Sequence, residues 1–139
     1  TICGGTGAGP DHPGTSAVHS HMTNTRMTDP EVVEWRFPVR VESFGIRRNS
    51  GGDGRFKGGD GVVRRIQFLE PMTATILSSH RETEPYGLQG GLPGKCGENS
   101  IVLKDGSTRK LKGNDEVEMG VGDVFVIKTP GGGGFGTPE

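Results

Sequence analysis

Gly122-Asp123-Val124-Phe125-Val126-Ile127 decides the fold. Its four consecutive apolar residues follow a Gly-Asp turn and would face inward on both sides of a sheet, which marks the central strand of a larger array. Working outward, Val39-Arg40-Val41-Glu42 alternates, and Phe44 and Ile46 resume in the opposite phase, so a strand with a bulge near Ser43 is predicted. Val62 to Leu69 carries Val62, Ile66 and Phe68 on one face, and Met72 to His80 and Glu116 to Met119 alternate. Ser100 to Lys104 and Thr108 to Leu111 flank Asp105-Gly106, a hairpin signal. The best helical segment starts at Pro30, capped by Thr28 or Asp29, and stops at Phe37-Pro38. The expected fold is mainly β, an antiparallel β-sandwich or barrel-like sheet with one or two short helices. Its core should draw on Val39, Val41, Val62, Ile66, Phe68, Ile76, Ile101, Leu103, Val124, Val126 and Ile127.

Composition bounds the rest. Average usage would give about 10 glycines in a chain of this length, whereas 26 are present among 139 residues, with nine prolines. That excess is read as short strands joined by tight, left-handed turns. Asn49 to Gly61, around Arg55-Phe56-Lys57, reads as a surface loop in preference to a cation-bearing flap, and Gly131 to Gly134 as a second glycine loop. A net charge of −1 leaves no footprint for nucleic acid. No apolar run is long enough for a membrane span and no basic-then-apolar leader opens the chain, so a cytoplasmic protein is expected. Cys3 and Cys96 read as free thiols of a reducing compartment. One domain is expected over 1–139, with a glycine- and His-rich site segment at 1–37 and a β domain at 38–139.

Chemistry concentrates in His19-Ser20-His21-Met22-Thr23-Asn24-Thr25-Arg26-Met27-Thr28-Asp29-Pro30-Glu31. In an extended segment His19 and His21 share a face, and Arg26 offers a planar fork suited to a carboxylate. The bland alternative is a solvated loop in which Arg26 pairs with Asp29 or Glu31. Two His alone are a weak chelation signal, so no metal is assigned. Gly4-Gly5-Thr6-Gly7-Ala8-Gly9 looks superficially like a phosphate loop but lacks the flanking elements of either nucleotide fingerprint. A loop approaching a ligand or another chain closely is the better reading.

Four blocks now stand in order: Gly4 to Pro10; His19 to Glu31; Ser50-Gly51-Gly52 with Arg55 to Gly61; and Gly122-Asp123 with Thr129 to Gly136. Together they resemble the C-terminal part of the hydantoinase B and 5-oxoprolinase family over almost the whole chain. The resemblance implies ATP-dependent opening of a cyclic amide, 5-oxoproline to glutamate or a hydantoin to its carbamoyl amino acid. It places ATP and a divalent metal mainly outside this chain, on an upstream region or a hydantoinase A-like ATP-binding partner, and implies an oligomer. No cofactor is expected on this portion, which should be inactive alone. His19 and His21 are then the catalytic candidates, with Asn24, Arg26, Gly5, Gly7 and Gly9 binding substrate. The alternatives are a subunit-assembly β module of the same complex and a part of an acetone carboxylase-like enzyme. A site lining requires Gly4–Gly9, His19–Arg26 and Gly131–Gly134 to converge on one surface.

Overall fold

Pairing of the apolar strands builds two antiparallel layers. The computed structural model describes residues 1–20 and 23–139. Its elements are α1 (Pro30–Arg36), β1 (Val39–Arg47), β2 (Gly61–Phe68), β3 (Met72–Leu77), β4 (Glu98–Val102), β5 (Thr108–Leu111), β6 (Asn114–Met119) and β7 (Val124–Lys128). The larger sheet runs β1-β2-β7-β4-β5, so the Val124–Ile127 run is central as expected. Val124, Phe125 and Val126 are all buried, which accounts for a run without polar alternation. The β1–β2 register shifts between Val41 and Ser43, and this bulge places Val41 opposite Ile66 and Phe44 opposite Arg64.

β3 and β6 pair as a separate two-stranded layer. Its inner residues Met72, Ala74, Ile76, Val117 and Met119 pack with Phe68, Ile101 and Phe125 of the large sheet. The outer face is polar, with Thr73 donating to Glu118 at 2.7 Å. The result is an open sandwich, not a closed barrel. Asp29 caps α1 by accepting from the Glu31 amide, and Phe37 closes it. Of the expected core, Val39, Val62, Phe68, Ile101, Val124 and Val126 are buried, whereas Leu103 is exposed. It stands beyond β4, where Leu103 accepts from Gly106 and donates to Ser107 to close the turn. Leu111, Val117 and Met119 complete the core instead.

The glycines depart further from expectation. Among the described glycines, only Gly90, Gly106, Gly122 and Gly136 have positive φ. Most of the others stand where main chain meets main chain. Gly131–Gly134 is buried at the centre of a bundle of extended segments, not exposed as a loop. Gly131 donates to Lys95, Gly132 donates to Gly59 and accepts from Gly52, Gly133 accepts from Ala8, and Gly134 accepts from Leu88. Asn49–Gly61 is likewise no surface loop: Ser50, Gly52, Gly58 and Gly59 are buried and only the tip around Asp53, Arg55 and Lys57 is exposed. The physical reason is that a Cβ on Gly132 would lie inside contact distance of the Thr6 carbonyl, and one on Gly58 would strike the Gly132 carbonyl.

Both neighbours are backbone and cannot swing aside. Gly132→Ala in the full-length protein should therefore cost at least about 3 kcal/mol, at the upper end of overpacking penalties. Gly45→Ala, where a Cβ meets nothing within 4 Å, should change stability by no more than about 1 kcal/mol. Comparison of the two by thermal melt and limited proteolysis checks the bundle.

Candidate functional site

The bundle grows from one end of the large sheet, where β1 and β7 finish and β2 and β4 begin. Four side chains fasten it there. Arg47 donates to the Cys96 and Thr129 carbonyls and pairs with Glu98 at 2.9 Å. Ser50 Oγ donates to the Arg47 carbonyl and accepts from the Gly61 amide. Thr129 Oγ1 accepts from Val62 N at 2.7 Å. Asp60 Oδ1 accepts from the amides of Ser50 and Gly51 at 2.9 and 2.8 Å. Burial pushes the Asp60 carboxyl up, but these amides and nearby Lys57 outweigh it and hold the group below its ordinary range. Glu98 is held low chiefly by its hydrogen bond from Lys128.

Between this bundle and the end of β3 lies a cavity of about 890 Å³. Thr1–Gly7 forms one wall, Val18, Ser20 and Thr23 contribute a second, and Ile76–Arg81 a third, while Arg64, Ile127, Thr129 and Pro130 complete it. Its volume falls within the range of small-molecule sites. Among the described residues, Arg64, His80 and Arg81 are its basic side chains, and no Asp or Glu lines it. Cys3 is buried there with a thiol pushed up by desolvation.

The sequence candidates divide. Gly5 and Gly7 line the cavity. Gly5 is pressed against Gly59, whereas Gly7 is open, with its nearest contact at 3.8 Å. Gly9 is away from the wall, under the ring of His12. The amides of Gly5, Thr6, Ala8 and Gly9 all donate within the bundle, to Pro130, Thr15, Gly133 and His12. Only the Gly4 and Gly7 amides of this run are without a backbone acceptor among the described residues, so the loop has too few free donors to cradle a polyphosphate.

His19 is half-buried, and its Nδ1 has no partner among the described residues. His19 itself does not line the cavity, although its neighbours Val18 and Ser20 do. Asn24 and Arg26 are exposed and do not line it. His21 lies outside the described residues. No ion pair of Arg26 with Asp29 or Glu31 occurs among the described residues. The glycine run and part of the His19–Arg26 block, Ser20 and Thr23, thus meet on one surface beside Thr129 and Pro130, whereas Gly131–Gly134 is buried in the bundle and does not line it. Sequence reading missed Arg64. Its signal was available: Val62, Arg64, Ile66 and Phe68 share a face of β2, so a cation interrupts an apolar row.

Fold and cavity together place the chain in a defined class, an open β-sandwich fastened to a glycine bundle with a basic cavity between them. The hydantoinase B/oxoprolinase family model matches residues 1–138, and the chain belongs to that family. It is 53% identical to 5-oxoprolinase 1 of Arabidopsis thaliana, over 99% of this chain and 11% of the relative. Its identity to the 5-oxoprolinase of Dictyostelium discoideum is 51%, over 100% of this chain and 11% of the relative. The chain therefore spans about a tenth of the length of these proteins. A solved ATP-dependent caprolactamase from Pseudomonas jessenii shares the fold at TM-score 0.83 and 20% identity, covering 98% of this chain and 25% of the other. A nucleotide-free acetone carboxylase structure does so at TM-score 0.80 and 20% identity, over 97% of this chain and 22% of the other.

The fastening carboxylates predict acid sensitivity. A depressed folded pKa contributes stability above the unfolded value, about 3.9 for Asp and 4.3 for Glu, and the contribution is lost as pH falls through the folded value. In the full-length protein this region should begin to loosen below about pH 4. Asp60→Ala, which strands two amides, should cost about 1.5–3 kcal/mol at pH 7 and flatten the acid limb. Hydrogen exchange of the Ser50 and Gly51 amides between pH 3 and 7 reads this directly.

Proposed function

We propose that this chain forms one wall of the substrate site of an ATP-dependent cyclic-amide hydrolase, with 5-oxoproline ahead of a hydantoin as substrate. The observation that carries the reading is the convergence of the glycine run, Ser20, Thr23 and buried cationic groups on a single ligand-sized cavity. Identity near half with proteins named 5-oxoprolinase supports the choice of ring, since a Pseudomonas protein named as part of a D-/L-hydantoinase is only 28% identical over 90% of the chain.

An unstrained lactam resists hydrolysis; phosphorylation of its carbonyl oxygen by ATP makes the carbonyl carbon electrophilic enough to take up water, after which the ring C–N bond breaks, the nitrogen leaves as a protonated amine and phosphate is released to water. The residues of this chain bind and orient. Hydroxyls of Ser20 and Thr23 and the amide of Gly7 supply donors around the ring, while the apolar side chains of Ile76 and Ile127 limit water. His19, with an unmet ring nitrogen, and His21 are assigned to moving a proton at the reacting amide. Among the described residues no group of three His, Cys, Asp or Glu could hold a metal, so no step on this chain is routed through one. A cytoplasmic location belongs to this reading, and the unbridged thiols of Cys3 and Cys96 on this chain support it, since they fit a reducing environment.

A second reading, an assembly module, has its own observation. Trp35 on α1 is 85% exposed, an apolar side chain suited to cover by the rest of the protein or by an ATP-binding partner. The two readings are separable by kinetics. Full-length protein should convert 5-oxoproline to glutamate only with ATP, and residues 1–139 alone should not. His19→Gln should lower kcat by at least about 100-fold with an unchanged melt, a usual loss for a proton-transfer group. Normal kcat in His19→Gln, with weakened association to other regions, would favour assembly.

A further inference from the structure

The cavity contains a charge that nothing described on the chain satisfies. Arg64 is 8% exposed, and its Nε and Nη2 have no hydrogen-bond partner among the described residues. Other cations nearby are accounted for: Arg47 and Lys128 share Glu98, Arg65 pairs with Glu42, and Arg81 donates to Asn99 and the Ser79 carbonyl. Arg64 also occupies a costly position. It stands in register with Phe44 and Ile127, where the sheet otherwise presents apolar side chains to its partner layer. An isolated buried cation is retained in such a place only with compensation.

Among the described residues the cavity wall supplies no compensating group: it has Arg64, Arg81 and His80 but no carboxylate. We propose that Arg64 holds the carboxylate of a small-molecule ligand in this cavity, an assignment that rests on the cavity being a substrate site. The chemistry of the unmet atoms selects the class. Nε–H and the adjacent Nη2–H lie along one edge of the guanidinium and match the two oxygens of a planar carboxylate, a bidentate pairing that an ammonium cannot copy. Arg81, already bound, contributes positive field without a free fork. Arg64 thereby takes the part that the sequence suggests for Arg26, which is exposed and outside the wall.

Calorimetry on the full-length protein tests this with 5-oxoproline, with pyrrolidin-2-one as the same ring lacking the carboxylate, and with acetate and glutarate as plain carboxylates. Wild-type protein should prefer 5-oxoproline to pyrrolidin-2-one by about 10- to 100-fold, the usual worth of a charge-assisted pair. Arg64→Gln should erase that preference while leaving the affinity for pyrrolidin-2-one unchanged, and Arg64→Lys should restore only part of it. If Arg64→Gln fails to fold, Arg64→Lys carries the test through its reduced preference. The inference is overturned if the folded Arg64 variants keep the full preference, whether or not their melting temperature falls, because the guanidinium then pairs within the protein. Loss of preference in Arg26→Gln alone, or no binding of any of the three carboxylates by wild type, overturns it as well. ATP-dependent opening of 5-oxoproline that survives in Arg64→Gln with its preference intact would sink Arg64's role while sparing the functional reading. An Arg64-dependent carboxylate preference without turnover would do the reverse.

Discussion

Main chain packed directly on main chain is the contact from which the rest of this structure follows. Gly131–Gly134 is bonded to segments around residues 7–8, 52, 59 and 88–95, and at Gly131, Gly132, Gly133 and Gly134 a Cβ would collide with a neighbouring backbone carbonyl. Ordering glycine is expensive, because it surrenders more conformational freedom than any other residue. Hydrogen bonds between segments offset part of that cost, each worth only about 1 kcal/mol net. The offset is completed by anchoring: Arg47, Ser50, Asp60 and Thr129 tie the bundle to strands that bury an ordinary apolar core. Neither half explains the other's sequence alone.

This arrangement has consequences for the cavity. A wall made of interbonded backbone has almost no side chains to rotate, so Gly5, Thr6 and Gly7 are held in fixed positions beside Pro130. The same bonds consume amides that a glycine run would otherwise offer to phosphate. Specificity must come from the few side chains that project into the space, from Ser20 and Thr23 on one side and Arg64 and Arg81 on the other. A rigid scaffold carrying sparse polar groups is the usual construction of a small-molecule site.

Strands were legible because their signal is local. Alternation in Val39–Val41 and the unbroken Val124–Ile127 run report sheet burial residue by residue, and Pro30 with Asp29 marks the helix start. The bundle was not legible, since a buried glycine and a turn glycine are the same letter and its contacts join segments far apart in the chain. Leu103 failed for a related reason: its place in the pattern matched β4, but the turn closed by Gly106 began one residue early. At the site, residue chemistry pointed to the His19–Arg26 block, yet Asn24 and Arg26 project elsewhere. Arg64 was hidden by reading its strand for what was apolar and passing over the charged member of the row.

That row shows how cavity and surroundings are coupled. Phe44 and Ile46 follow the β1 bulge onto the face that Arg64 and Val62 share, and both are more than 40% exposed, at 42% and 47%. The sheet's edge therefore has two unmet demands side by side, apolar surface open to water and a desolvated cation without a counter-charge. They reinforce each other. Any apolar cover laid over Phe44 and Ile46 removes water from beside Arg64, which raises the cost of leaving the guanidinium unpaired and strengthens its attraction for an anion. On the proposal that Arg64 holds a carboxylate, packing against this face and ligand binding would be thermodynamically linked, each favouring the other.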